Sequence, residues 1–188
     1  MGNLNIHLIK ALENYPYNME ECLEALKYAQ SSDDQSALTH CLMGRIYAEQ
    51  LHQYEDAKIC FQDAMAEDMQ LIEIYPDYIN TLIQNEDYKE AEKLIEFAFT
   101  VKGLNKGTVW FYKIFLAEKM GEYKMALEHI KHAICEGFTS GFITHIEDME
   151  KRIKKKKDIK SKENKNEKKE PVNDSKKTKK EISKKKSK

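Results

Sequence analysis

Three segments of the sequence share one pattern of side chains: YEDAKICFQDA (residues 54–64), YKEAEKLIEFA (residues 88–98) and YKMALEHIKHA (residues 123–133). Each begins with Tyr, has Ala at its fourth and eleventh positions and carries Phe or Ile at its eighth. Intervals of three, four and three residues place these side chains on one face of an α-helix. The segments start 34 and then 35 residues apart. A helical unit that recurs at this period predicts a stack of helical hairpins.

Each segment is predicted to be the second helix of its hairpin. The first helix ends at a turn of polar or helix-breaking residues, at 51–53, 84–87 and 120–122. A degenerate fourth copy, Met19-Cys22-Leu26-Ala29, lies 35 residues before the first segment. The paired alanines, seven residues apart, form a stripe that lets a neighbouring helix approach to about 8–9 Å.

The first helices follow the pattern less closely, and a last amphipathic helix follows the third segment. Its apolar stripe is Phe142, Ile146, Met149 and Ile153. An open stack exposes an apolar end, so this helix is predicted to cover the stack with a solvated outer face.

These features together resemble the tetratricopeptide repeat family. The residues that carry the structural signature are Gly44, Tyr47, Tyr54, Ala57, Phe61, Ala64, Tyr88, Ala91, Ala98, Trp110, Gly121, Tyr123, Ala126 and Ala133. The resemblance implies an all-α, right-handed superhelix of antiparallel hairpins. It also implies a non-catalytic scaffold that holds a partner segment on its concave face. The chain departs from the family pattern in the second unit, which has one extra residue between Tyr47 and Ala57.

Charge divides the chain into two parts. Residues 1–150 carry 12 Lys and Arg against 26 Asp and Glu, whereas residues 151–188 carry 19 against 6. We predict a repeat domain of about four hairpins plus a terminal helix over residues 1–153. Residues 154–188 are predicted to be a disordered, Lys-rich tail, because they hold too few large apolar residues to offset chain entropy.

The concave face of such a stack is formed by the first helices, so the candidate groove residues are Arg45, Asn80, Phe111 and Phe115. Phe111 and Phe115 lie about 100–140° from Trp110 around their helix, outside the packed stripe. They are predicted to anchor a partner; packing against the terminal helix or the next repeat is the alternative. The acidic repeat domain favours an apolar or basic partner segment over an acidic one.

Catalytic, metal and cofactor sites are not predicted. The sequence has no GxSxG, GxxxxGK[ST], HExxH or GxGxxG motif. His129 and Cys135 are six residues apart, about 240° around a helix, so they cannot share one ion with His132. The four cysteines are predicted to be buried, reduced thiols. They favour a cytoplasmic protein, with a nuclear location as the alternative in a nucleated cell. The sequence contains no run of 18 apolar residues, so no membrane-spanning helix is predicted.

Blocks of lysine in the tail predict electrostatic contacts without sequence readout. They comprise Lys154, Lys155, Lys156 and Lys157 and, near the end, Lys184, Lys185 and Lys186. No aromatic residue is interleaved, so nucleic-acid binding would be weak and salt-sensitive. Three alternatives stay open: a nucleic-acid- or ribosome-associated factor whose repeats dock it to a larger complex, a tail that folds onto its own acidic domain, or neither.

Overall fold

The computed structural model describes residues 5–31, 36–137 and 139–167, with side chains through residue 163. These ranges form nine α-helices and contain no strand, which confirms the all-α prediction. The helices are α1 (Ile6–Asn14), α2 (Met19–Ser31), α3 (Ala37–Arg45), α4 (Tyr54–Glu67), α5 (Ile74–Gln84), α6 (Tyr88–Ala98), α7 (Lys106–Lys119), α8 (Tyr123–Cys135) and α9 (Ser140–Glu167). A π-helical turn, Ile46–Gln50, continues α3. None of the described helices is both long and apolar enough to cross a membrane.

The helices pair in chain order. α1 packs on α2, α3 on α4, α5 on α6, and α7 on α8, while α9 packs on α8. Neighbouring hairpins meet through α4 with α5 and through α6 with α7. The first helices also contact one another, α3 with α5 and α5 with α7. The described chain is therefore a succession of four hairpins and a last helix, as the repeat period predicts.

Small residues allow the helices to approach closely. The six segment alanines are at most 1% exposed: Ala57, Ala64, Ala91, Ala98, Ala126 and Ala133. Phe61 is fully buried, and its ring stacks on Tyr78 with the centroids 5.4 Å apart. A Cβ atom added at Gly44 would lie 2.8 Å from the Phe61 ring. The α3–α4 hairpin therefore needs glycine at position 44.

The turn inside each of the three later hairpins has a residue with left-handed backbone two positions before the segment Tyr. These residues are His52 (φ 54°), Glu86 (φ 64°) and Gly121 (φ 76°). The next N–H group closes the turn: Asp87 donates to the Leu82 carbonyl at 2.9 Å, and Glu122 donates to the Ala117 carbonyl at 2.8 Å.

The π-helical turn accounts for the extra residue of the second unit. There the closing hydrogen bond runs from the Gln53 N–H to the Tyr47 carbonyl at 2.9 Å, one residue further back than in the other two turns. A π turn absorbs a single inserted residue without ending the helix. The insertion therefore stays inside the first helix, and it changes the direction of the side chains at its end.

Replacing Glu86 by Gly is expected to raise the free energy of unfolding by about 0.5–1 kcal/mol. Left-handed backbone costs a non-glycine residue about 1–2 kcal/mol, partly offset by the greater chain entropy that glycine loses on folding. Urea unfolding measures the change. The matched control is Glu90→Gly, four residues later inside α6, which is expected to destabilise by about 1 kcal/mol. Equal losses in both variants would contradict the turn assignment.

The boundary between repeat domain and tail needs correction. The sequence places the start of a disordered tail at Lys154, but α9 continues without a break to Glu167. Ile146, Met149 and Ile153 are buried. Beyond them Lys156 reaches Glu118, and the Lys160 ammonium donates to the Gly121 carbonyl at 3.2 Å. Contacts with the acidic domain thus extend the helix. Residues 168–188, including Lys184, Lys185 and Lys186, lie outside the described residues.

Candidate binding face

The exposed sides of α3, α5 and α7, with the π turn, form one surface that we call the first-helix face. Arg45 lies on it in the last turn of α3, where its Nε is 3.2 Å from Asp77 Oδ2 on α5. The same guanidinium lies 4.6 Å above the centre of the Tyr15 ring, at the end of α1. Arg45 therefore joins three helices rather than standing free in a groove.

Glu49 completes a polar cluster with these residues. Its carboxylate accepts a short hydrogen bond from the Tyr15 hydroxyl. Glu49 lies in the π turn, so the inserted residue sets its direction. The polar cluster, Tyr15, Arg45, Glu49 and Asp77, holds two carboxylates and one guanidinium. With both acids ionised it carries an excess negative charge in a partly desolvated place.

Burial raises the pKa of Asp77 to about 6, because the Arg45 cation offsets desolvation only in part and Glu49 adds to it. Burial, followed by the Asp77 and Glu49 charges, raises the pKa of Tyr112 to about 12. Tyr112 belongs to α7, so α1, α3, α5 and α7 all face this cluster. An acid that titrates near neutral pH responds strongly to a cation placed beside it.

An open cleft of about 350 Å³ adjoins the polar cluster. Its lining consists of Ala48, Glu49, His52, Tyr54, Asn80, Thr81 and Gln84. Asn80 and Gln84 stand one turn apart on α5, and their amides can donate and accept hydrogen bonds. Lys119 Nζ lies 3.4 Å from Gln84 Oε1 and marks the α7 side of the face. The cleft thus offers amide and carboxylate groups to a peptide backbone and to a basic side chain.

Phe111 and Phe115 are half-buried on α7. The Phe111 ring lies 5.5 Å from that of His145 on α9 and 6.3 Å from Phe115, and both residues pack into the apolar core beneath α9. Phe115 also contacts the core around α5, and Lys119 Nζ lies 5.4 Å above its ring. The alternative of packing against the terminal helix therefore describes Phe111, and Phe115 joins two cores.

The histidines of α8 pack around Trp110. Its ring centroid is 4.6 Å from that of His132 and 5.4 Å from that of His129. Burial, then the Lys113 and His132 charges, lowers the pKa of His129. Over the described ranges, no group of three or more His, Cys, Asp or Glu side chains could hold a metal ion. Cys22 and Cys41 are buried as predicted, but Cys60 is only half-buried, and Cys135 is exposed because it ends α8 away from the Ala133 stripe.

Glu118 is a buried acid that lies beneath α9, on the same side of α7 as Phe111. Its side chain is only 3% exposed there. Arg152 donates two hydrogen bonds to its carboxylate, at 2.9 and 2.7 Å, and Lys156 donates a third at 2.8 Å. Burial opposes ionisation, but these hydrogen bonds and charges outweigh it and lower the pKa of Glu118.

The polar cluster was missed from the sequence, although one signal was present. Asp77, Asn80 and Gln84 are spaced by three and four residues and therefore share one face of α5. Nothing comparable points to Tyr15 or Glu49, because their positions depend on how α1 and the π turn meet. No protein-family model matches the chain, and no curated protein matches it at a significant level. The resemblance to tetratricopeptide repeats therefore rests on the repeat residues of the sequence.

Proposed function

We propose that this protein is a non-catalytic interaction scaffold of the tetratricopeptide type, with its hairpins wound into a right-handed superhelix. On the first-helix face it binds a partner segment that carries a basic side chain. The observation that carries the proposal is the polar cluster with its adjoining cleft. Glu49 belongs to both.

The chemistry of the face supports a basic segment. The cluster holds two carboxylates and only one guanidinium, so a further cation would lower its electrostatic free energy. Asn80 and Gln84 can pair with the backbone of the same segment from one wall of the cleft. Convergent polar groups in a concave site are typical of ligand binding. An acidic segment would meet Glu49 and Asp77 and be repelled.

Peptide arrays test this proposal. Ten-residue peptides of Ala, Leu and Ser with one or two Lys or Arg are expected to bind the full chain more tightly than the same peptides with Glu. Glu49→Gln combined with Asp77→Asn keeps the shapes, removes two charges and is expected to weaken binding at least fivefold. The matched control, Asp63→Asn with Glu67→Gln, removes two exposed charges from α4. Equal weakening by both pairs would reduce the effect to net charge and refute the site.

Binding of these basic peptides is expected to strengthen as pH rises from 5 to 7.5. The cation prefers ionised Asp77, and the pKa of Asp77 in the free protein is about 6. Below pH 6 most molecules hold the neutral acid, so the apparent affinity falls, by up to about tenfold at pH 5. Asp77→Asn is expected to remove this dependence. Fluorescence anisotropy at five pH values measures it, and an unchanged profile in the variant would contradict the assignment.

One observation favours a second function, attachment to nucleic acid through the basic end of the chain. Lys154, Lys155 and Lys162 are exposed on α9. Truncation after Lys151 would remove buried Ile153 and the partners of Glu118, so the chain must be cut after Glu167 instead. If residues 168–188 provide the attachment, full-length protein binds RNA in low salt and the truncated chain does not; if the exposed lysines of α9 provide it, both forms bind. If both forms bind the basic peptides equally and neither binds RNA, the scaffold function stands alone.

A further inference from the structure

A second surface of the protein is apolar and uses different side chains of α5 from those of the first-helix face. The α4–α6 groove has walls formed by Met65 and Met69 on one side and by Leu94 and Phe97 on the other. Tyr78 and Leu82 of α5 form its floor, and its volume is about 400 Å³. Met69 is 50% exposed and Phe97 is 41% exposed. Large apolar side chains gathered in one groove are more informative than the same residues scattered over a surface.

Apolar lining favours a helix over an extended peptide. Of the residues that line the groove, only Glu90 and Lys93 carry charge. An extended segment would lose water from its N–H and C=O groups there without finding partners, which is costly. A helix satisfies its own backbone and needs only side-chain contacts. Glu90 and Phe97 are seven residues apart on α6, about 10 Å, which matches two turns of a docked helix.

Charges at one end of the groove define the flank of that helix. The start of α6 carries Glu86, Asp87 and Glu90. The nearest cation on α4, Lys58, is already bound by Asp87 at 2.6 Å and by Glu55 at 3.3 Å. With Glu55 counted, four acids at this end stand against three lysines, Lys58, Lys89 and Lys93, so it keeps a small negative excess, while the end formed by Met69 and Phe97 is apolar. Methionine side chains adapt to partners of varied shape, and two of them, Met65 on α4 and Met69 just after its end, form one wall.

From these contacts we infer that the α4–α6 groove docks an amphipathic helix of a partner protein, with apolar residues at i, i+3 or i+4 and i+7 and with basic residues along its flank. This site is separate from the first-helix face and does not depend on the function proposed above. A single partner could present a basic segment to one face and a helix to the other.

The test uses an 18-residue fluorescein-labelled Leu/Lys peptide with leucines at helical spacing. Two comparison peptides have the same composition in scrambled order, or Glu in place of Lys. The full chain is expected to bind the Leu/Lys helix at least fivefold more tightly than either. Met69→Ser with Phe97→Ser is expected to weaken binding about tenfold. The matched control, Ile59→Ser with Met125→Ser, removes two residues that are 57% and 45% exposed outside the groove and is expected to change binding less than twofold.

A second measurement needs no substitution in the groove. In full-length protein with ¹³C-labelled methionine methyl groups, the peptide is expected to shift the Met65 and Met69 signals and leave Met125 unchanged. In the Glu49→Gln/Asp77→Asn background, where the first-helix face no longer attracts basic peptides, the Leu/Lys helix is still expected to shift the Met65 and Met69 signals and to bind more tightly than both comparison peptides, which separates this site from the first-helix face. Equal binding of the scrambled peptide, equal loss in the two serine pairs, or shifts confined to other methionines would each overturn the inference.

Discussion

Removing both cations that reach Glu118, by Arg152→Met with Lys156→Met, is expected to lower the free energy of unfolding by about 3–5 kcal/mol. The Glu118 side chain is only 3% exposed, while Arg152 and Lys156 are about half exposed. The three hydrogen bonds from these cations offset the desolvation of the carboxylate. Without them a buried negative charge has no partner, which costs far more than an exposed ion pair is worth.

The free energy of unfolding is expected to change with pH in opposite directions in the unaltered chain and in the double variant. In the unaltered chain the folded pKa of Glu118 lies below its ordinary value. The stabilisation that ionised Glu118 gives the folded state is therefore complete above the pKa that Glu118 has in the unfolded chain. It is lost as pH falls through the lower pKa of Glu118 in the folded chain. In the double variant, burial is no longer opposed and raises the pKa of Glu118. Stability should then fall as pH rises from 5 to 8, opposite to the contribution in the unaltered chain.

Two further variants separate the ionic contact from general effects on α9. Lys151→Met with Lys154→Met removes two exposed lysines that pair with Asp148 and Glu150, and it is expected to cost less than about 1 kcal/mol. Adding Glu118→Met to the double variant replaces the buried charge by an apolar side chain and is expected to recover most of the loss. Urea unfolding of the full chain measures all four proteins. A double variant no less stable than the lysine control would refute the account.

The fold was predictable because it repeats. The Tyr–Ala spacing specified α4, α6 and α8 independently, and all three begin at the predicted tyrosine. Periodicity also located the buried stripe of α9, but not its end. Beyond Ile153 the helix is held by pairing between distant charges, Lys156 with Glu118, and no local pattern in a lysine-rich segment reports such a pairing.

The candidate site was less predictable for a related reason. Arg45 and Asn80 are predicted groove residues because of their positions on first helices; in the structure Arg45 pairs with Asp77, and Asn80 lines the cleft. The charge balance there depends on Glu49 and on Tyr15, which come from different hairpins. The extra residue before Ala57 was visible in the sequence, but its absorption into a π turn, which directs Glu49, is a tertiary result. Phe111 and Phe115 were predicted to be exposed in the groove from their positions around α7. Those positions do not reveal that α9 packs over the same side of the helix.

Gly44→Ala is expected to lower the free energy of unfolding by up to about 2 kcal/mol. The new Cβ would lie 2.8 Å from the Cε1 and Cζ atoms of Phe61, which is fully buried and cannot move aside. Overpacking of this kind costs about 1–3 kcal/mol, while the higher helix propensity of alanine returns about 1 kcal/mol. Gly141→Ala is the matched control, because an added Cβ there meets no atom within 4 Å. It is expected to be neutral or slightly stabilising.

A double-mutant cycle with Phe61→Leu tests the cause. Shortening the ring removes the atoms that the new Cβ would meet, so Gly44→Ala should be less costly in the Phe61→Leu background than in the unaltered chain. The expected coupling is about 1–2 kcal/mol in favour of the double variant. Thermal and urea unfolding of the four proteins give its value. If Gly44→Ala costs the same in both backgrounds, the glycine is not required by Phe61. Close nesting of α3 on α4 would then need another explanation.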